Sequence, residues 1–347
     1  MKKLAIVLLA LLLGVCAAGV AALVLYQRAE QPFKGYAADE QFVDLPPGAS
    51  TRAIGARLVA AGVVRDALTF RVALWRSGVS RQLKAGEYRF DRPVTALDVV
   101  RKIARGDVYL RPITFPEGLT IDDMAALFEA HGFGTAASFR SAASDRSLVA
   151  DLDPRARDLE GYLFPETYAL PRRASAGDLV RMMVRRFHQV FAALGAEATG
   201  EGLSVREVVT LASIVEKETG KADERPLVAA VYLNRLRIHM GLQCDPTVIY
   251  ALRRAGRFNG NLTRDSLTWD SPYNTYVHAG LPPGPIAAPG QSSLDAAVHP
   301  AEVDYLYFVS RNDGSHAFAR SLDEHNRNVY RYQKQYFHEQ HPRGQTR

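Results

Sequence analysis

Leu4 to Tyr26 is an unbroken run of 23 residues without a charged side chain. A helix rises about 1.5 Å per residue, so the run is long enough to cross a hydrocarbon core of about 30 Å. A helix also satisfies every backbone polar group internally, which lipid demands. A cleaved signal peptide would have an apolar core of only about 7–15 residues, and Val15 before Cys16 suits a lipoprotein cleavage site poorly. The expectation is therefore an uncleaved transmembrane helix over 4–26 behind a cytoplasmic tip, residues 1–3. Lys2 and Lys3 favour a cytoplasmic N-terminus, which puts everything after Arg28 outside the cytoplasm. Cys16 then sits in lipid and Cys244 outside, so the two cannot pair. Cys244 is expected to be either buried or a free thiol.

The remaining chain is globular in composition. Of 347 residues, 47% are hydrophobic and 23% charged, which excludes global disorder. At roughly 100–200 residues per domain, two or three units are expected. Two cysteines exclude a disulfide scaffold and a cysteine-based zinc site. The net charge of +6 is mild and spread along the chain. It suits an anionic membrane surface or wall polymer and gives no sign of nucleic-acid binding.

A polar segment, 27–40, reads as a linker. After it, one local plan occurs twice at an offset of 70 residues: Pro46/Pro116, Gly48/Gly118, Ser50/Thr120 and Gly62/Gly132. Each copy spells a turn, an N-cap hydroxyl, an amphipathic helix and a glycine stop. Between the copies, Ala67–Ser77 and Thr95–Arg105 read as helices, and Gly86–Phe90 and Val108–Phe115 as strands. A duplicated small α+β unit is expected. Residues 134–158 read as a polar insertion, Ala176–Gly195 as a long helix, and 338–347 as a disordered tail.

Ser204-Val-Arg-Glu207 is a capping box, so a helix should start there and run to Thr219, with Gly220 as its stop. At about 100° per residue, Val205, Val208, Val209, Leu211, Ala212, Ile214 and Val215 form an apolar arc, with Arg206, Thr210, Ser213 and Lys217 on the polar side. Glu216 and Glu218 both fall on the arc, about 160° apart, so they do not share one site. Burial and a helix C-terminus both raise a carboxyl pKa, and a carboxyl protonated near neutral pH is what a general acid requires. The competing reading is a structural ion pair with an arginine such as Arg225 or Arg235. The wheel alone does not choose between Glu216 and Glu218.

Further on, long stretches rich in Pro, Gly, Asn and Tyr lack helix or strand period: Leu242–Tyr250, Ser271–Tyr276 and Gly280–Ile286. Such loops are usually functional, and Tyr and Asn suit carbohydrate. Ser-x-x-Lys and Gly-x-Ser-x-Gly are absent, against penicillin-type acyl transfer and an α/β-hydrolase. There is no P-loop and no HExxH, and neither a metal nor a cofactor is expected. His299, His316 and His325 are expected to be structural or hydrogen-bonding rather than ligands.

Leu211-Ala-Ser-Ile-Val-Glu-Lys-Glu-Thr219, Asn234-Arg-Leu, Leu242-Gln-x-Asp-Pro-Thr247, Tyr273-Asn-Thr-Tyr276 and Gly280-Leu-Pro-Pro-Gly284 together resemble the endolytic murein transglycosylases, the MltG or YceG-like family. The resemblance covers the whole exported chain and is strongest over about 160–335. It implies an α+β architecture: one transmembrane helix, a LysM-like module over 41–110, and a mixed α+β catalytic domain over 111–337 with a central catalytic helix. It implies a single-pass inner-membrane enzyme that cuts nascent peptidoglycan strands and leaves 1,6-anhydro-muramyl ends, with penicillin-binding synthases as possible partners. The family's catalytic glutamate matches Glu218, which is also the nearer of the two to the helix end; Glu216 is then the structural candidate. Gln243, Asp245, Tyr273, Asn274 and Tyr276 are candidates for the glycan groove. Cys244 departs from the family, which carries a small polar residue such as Thr there. No catalytic consequence is expected of it, although a reactive thiol becomes conceivable. Two other readings stay open. One is a hydrolytic muramidase using Asp245 or Glu166 as a second carboxylate; the other is a tethered wall-binding scaffold without chemistry.

Overall fold

The computed structural model describes residues 2–79, 82–195 and 202–335. The expected disordered tail lies outside the described residues. The chain divides into two compact units, Met1–Arg111 with Ala169–Arg173, and Pro112–Tyr168 with Ala174–Arg347.

In the first unit, helix α1 runs over Lys2–Glu30. Its Ile6–Glu30 portion is long and apolar enough to cross a membrane. The helix outlasts the expected span by four residues, and the segment expected as a linker is not free. Phe33 bridges Val94, and the Gly35 amide donates to the Gly62 carbonyl at 2.8 Å. Strand β1 (Gln41–Leu45), α2 (Thr51–Ala60), α3 (Ala67–Ser77), β2 (Gly86–Phe90) and α4 (Ala96–Arg105) follow. β1 and β2 pair antiparallel, with Val43 opposite Tyr88. Their inward residues Val43, Leu45, Tyr88 and Phe90 meet Leu58, Phe70, Val100 and Ile103 in one core. The buried Tyr88 hydroxyl donates to the Lys84 and Ile103 carbonyls, which satisfies its polar end. Arg172, from the short returning segment, pairs with Glu87 at 2.7 Å and covers the Phe42 ring.

The second unit begins with β3 (Arg111–Thr114), whose first residue belongs to the first unit. It continues through α5 (Ile121–Ala130), α6 (Ala136–Ala143), β4 (Thr167–Leu170, its last two residues in the first unit), α7 (Ala176–Ala193), α8 (Val205–Glu218), α9 (Arg225–Arg237), α10 (Asp245–Arg254), α11 (Arg264–Leu267), α12 (Gln291–Val298), β5 (Tyr307–Ser310), β6 (His316–Ala319) and α13 (Leu322–Val329). β3 is hydrogen-bonded to β4 and β5 to β6. The chain order strand–helix–helix–strand–helix thus occurs twice, first as β1-α2-α3-β2-α4 and then as β3-α5-α6-β4-α7.

The 70-residue repeat is visible at atomic level. Ser50 and Thr120 cap α2 and α5 through their hydroxyls. Gly62 and Gly132 both take φ +68, which an L side chain resists and glycine does not. The amides of Val63 and Phe133 return to the carbonyls of Leu58 and Phe128. Residues 134–158, expected as a polar insertion, carry a packed helix. Thr135 caps α6, and Phe139, Ala143 and Val149 are buried. Alanine is the best helix former, so an Ala/Ser-rich segment with one well-placed Phe forms a packed helix.

Candidate active site

Helix α8 is the axis of the second unit. Ser204 and Glu207 close the expected capping box. Val208 through Val215 are all buried, so Thr210 and Ser213 of the side expected to be polar lie inside, while Arg206 is half-buried and Lys217 exposed. Three of these polar residues reach neighbouring segments. Arg206 clamps Asp153 at 2.8 Å and reaches the Pro283 carbonyl. The Ser213 hydroxyl accepts from the Ile286 amide at 3.0 Å. Lys217 Nζ donates to the Gly118 carbonyl. The Pro/Gly segment is therefore a buried support: residues 284–290 are all buried, and Ala288 exchanges backbone hydrogen bonds with Gly118 and Leu119. Pro lacks an amide donor and Gly a side chain, which lets such a strap lie against a helix without stranding polar groups.

Glu216 points into this support. It pairs with Arg225 at 3.0 Å, with side chains only 6% and 8% exposed, and its other oxygen accepts from the Gly290 amide at 3.0 Å. Arg225 also reaches Glu117 and the Ser292 hydroxyl. Both carboxylate oxygens of Glu216 are thus committed to holding structure.

Glu218 is the last residue of α8. The helix stops one residue earlier than expected and without a left-handed glycine: Thr219 is extended, at φ −138 and ψ 133. The turn away leaves the Glu218 carboxyl facing α9 and the start of α10. There the Tyr232 hydroxyl donates to Glu218 Oε1 at 2.8 Å, and the Cys244 thiol donates to the same oxygen at 3.0 Å. Burial pushes the Glu218 pKa above the ordinary carboxyl range. The hydrogen bonds from Cys244 and Tyr232 pull it back, and the charge of Asp245 adds to the rise. Two donors on Oε1 favour placing a proton on Oε2, the geometry of a general acid with one anchored and one working oxygen.

Cys244 is the N-cap residue of α10, but its side chain does not cap the helix; it serves Glu218. Burial and the neighbouring Glu218 raise the thiol pKa well above its ordinary value, which disfavours the thiolate and makes a reactive cysteine unfavourable. Cys244, of which no catalytic consequence is expected, thus touches the Glu218 carboxyl directly. Its backbone is fixed by Thr275, whose hydroxyl accepts from the Cys244 amide at 2.9 Å. Gln243 stands in the left-handed region at φ 50, a conformation that costs a non-glycine residue about 1–2 kcal/mol. It lets Leu242 and Cys244 point inward while Gln243 stays exposed. Arg235 holds the same turn through the Leu242 and Leu306 carbonyls, both at 2.7 Å.

The other candidates separate into two groups. Asp245 and Tyr276 lie at the site: the Tyr276 hydroxyl donates to Asp245 Oδ1 at 2.6 Å, and both are exposed. Asn274 is buried, with its amide donating to the Leu267 and Trp269 carbonyls and its oxygen accepting from the Tyr276 amide. It shapes the loop rather than presenting a group to solvent. Tyr273 packs on Tyr250 at 5.0 Å and sits near Arg254, in a separate cluster around Glu160. Glu166 is engaged by Arg186 at 2.8 Å. His299 bonds Asp295 and His325 stacks on Tyr307, while His316 bonds Glu224 at 2.7 Å. Thr219 bonds the same Glu224, so His316 braces the turn after Glu218. Tyr232 was not foreseen as a partner of Glu218. Arg235, expected as a possible ion-pair partner of a glutamate, holds backbone carbonyls instead, and Thr275 fixes the Cys244 amide.

Glu160 is another buried carboxyl, apart from Glu218. Glu160 accepts from the Ile121 amide at 3.1 Å and the Tyr250 hydroxyl at 3.2 Å. Burial, with Asp158 nearby, pushes its pKa up to about 8.

Residues 43–331 match the model of the YceG-like family. The chain is 31% identical over 306 residues to an endolytic murein transglycosylase from Bacillus subtilis, covering 84% of each. It is 30% identical over 317 residues to one from Streptococcus pneumoniae, covering 83% of this chain and 57% of that longer relative. A YceG-like protein from Listeria monocytogenes, known from a 2.6 Å crystal structure, superposes with a TM-score of 0.57 at 33% identity, over 83% of this chain and 98% of that one.

Proposed function

The chain belongs to the YceG-like family, and on that premise we propose that it is a membrane-tethered lytic transglycosylase. Its substrate is the glycan of nascent peptidoglycan, cut at the β-1,4 bond between N-acetylmuramic acid and N-acetylglucosamine. The observation that carries this reading is the double anchoring of Glu218 Oε1 by Tyr232 and Cys244 in a carboxyl whose own pKa burial has raised.

Protonated Glu218 donates to the glycosidic oxygen as the bond breaks. The substrate's acetamido group meets the positive charge that develops on the muramyl ring. The Glu218 carboxylate then takes the proton of the muramyl 6-hydroxyl, whose oxygen closes the 1,6-anhydro ring. Proton and electron pairs balance without water and without a second carboxylate, unlike ordinary glycoside hydrolysis. Gln243, Asp245 and Tyr276 form the rim that positions the glycan, and Asn274 keeps the Tyr276 loop in shape. The strand–helix–helix–strand order of residues 41–90 supports reading 41–110 as a LysM-like glycan-binding module ahead of a catalytic domain over 111–337. The apolar helix supports an inner-membrane anchor with a cytoplasmic N-terminus. A tethered site of this kind acts on strands as they emerge, and penicillin-binding synthases are the natural neighbours.

Mass spectrometry of glycan digested by the purified full chain tests the reaction. Fragments lacking one water, the mark of anhydro ends, support the lyase; ordinary reducing ends would establish a hydrolase.

A further inference from the structure

Helix α3 carries Leu68, Val72 and Trp75 at i, i+4 and i+7, one stripe on one face. Leu68 is 55% and Trp75 80% exposed. The stripe borders a groove of about 930 Å³ between α2 and α3, lined also by Arg52, Gly55 and Arg71. Residues 51–78 hold five arginines (Arg52, Arg57, Arg65, Arg71, Arg76) against one acid, Asp66. That acid is spent capping α3 through the Thr69 amide and hydroxyl. The helix pair is thus basic and apolar at once, the pattern of a membrane-surface element.

Its place in the first unit fits the same conclusion. The Arg76 guanidinium lies 4.0 Å over the Tyr26 ring and pairs with Glu30. Those residues are where the apolar run of α1 ends, so the C-terminal end of α3 is fixed at the level where a spanning α1 leaves the hydrocarbon. Trp75 is the neighbour of Arg76. Tryptophan at that depth is favoured by its amphipathic ring, and arginines beside it can reach lipid phosphates.

We propose that the α2–α3 face of the first unit docks on the anionic phospholipid surface next to α1, with Leu68 and Trp75 at the headgroup–acyl boundary and Arg52 and Arg71 on the phosphates. The proposal rests on the reading of α1 as a membrane anchor. Docking would hold residues 41–110 against the bilayer instead of letting them swing on a tether.

The test uses the full chain with Trp269→Phe, which leaves Trp75 as the only tryptophan. It is reconstituted into vesicles of phosphatidylglycerol and phosphatidylcholine whose acyl chains carry bromine near the headgroup. The expected result is co-flotation with the vesicles, blue-shifted Trp75 emission, and loss of most of that emission to the brominated lipid. The loss should weaken with Arg52→Glu and Arg71→Glu together, or in phosphatidylcholine alone. Co-flotation with Trp75 quenched by aqueous iodide and not by bromine would overturn the docking while leaving the anchor intact. Shielding from both quenchers that disappears on dilution into excess lipid would assign the face to a second copy, and shielding only on adding glycan would assign it to substrate; either overturns the proposal. Failure to co-float would refute the anchor, and the docking with it.

Discussion

Tyr232 and Glu218 are joined by a 2.8 Å hydrogen bond from phenol to Oε1, across 14 residues of sequence. The bond comes from one buried helix to the end of another and stabilises the ionised carboxylate. Burial acts in the opposite direction and prevails, so Glu218 stays protonated to a higher pH than an ordinary glutamate.

Tyr232→Phe removes that donor with almost no change of shape. The Glu218 pKa should rise further, since the lost bond favoured the charged form. We expect kcat to fall about tenfold, the net worth of one such bond, with the alkaline limb of the pH–rate profile moved to higher pH. An unchanged profile would remove Tyr232 from the site's electrostatics.

Cys244→Ser keeps a donor at the second position, and Cys244→Ala deletes it. Serine should retain activity within about threefold, while alanine should lose roughly tenfold. In a Cys16→Ser background, native Cys244 should resist a bulky maleimide until the protein is unfolded, because the thiol is buried and its pKa raised. Rapid native labelling, read by intact mass, would contradict the geometry.

Local features were legible in the sequence because local chemistry causes them. The capping box at Ser204 and the paired glycines at 62 and 132 needed no tertiary information. The choice between Glu216 and Glu218 was not available from the helix wheel, since both lie on the apolar arc. What separates them is the partner each meets: Arg225 and the Gly290 amide for one, Tyr232 and Cys244 for the other. The residues expected to line one groove do not stay together in the fold. Tyr273 and Tyr276 are near neighbours in sequence, yet Asn274 between them turns the loop, so one ring faces the Glu160 cluster and the other Asp245. The Pro/Gly strap was legible only in part, since the burial of residues 284–290 depends on what packs against them. Lack of period marked it as irregular but not as buried.

Arg225→Met leaves Glu216 as an unpaired buried carboxylate. Breaking one side of such a pair costs about 3–5 kcal/mol. Urea denaturation should show a loss of that order, and Glu216→Gln in the same chain should restore part of it. A loss below about 1 kcal/mol would mean that the pair contributes little.

Glu160→Gln should change how stability depends on pH. The folded-state pKa of about 8 lies above the ordinary value of 4.5. Below the lower value both folded and unfolded chains hold the proton. Between the two only the folded chain does, so stability should fall as pH rises through this window. The variant removes that slope and should gain on the order of 1–3 kcal/mol relative to wild type at pH 8, with no gain near pH 4. Parallel curves for the two proteins would refute the buried protonated carboxyl.

Glu218→Gln in the full chain, assayed beside wild type on isolated glycan strands, bears most directly on the proposed chemistry. Glutamine keeps the shape and can still accept from Tyr232 and Cys244, so the fold should survive, but it has no proton to donate. We expect wild type to release anhydro-ended fragments, and the variant to lose at least about a hundredfold in rate while keeping its circular dichroism and its affinity for glycan. A folded variant that cleaves at the wild-type rate would show that Glu218 is not the acid.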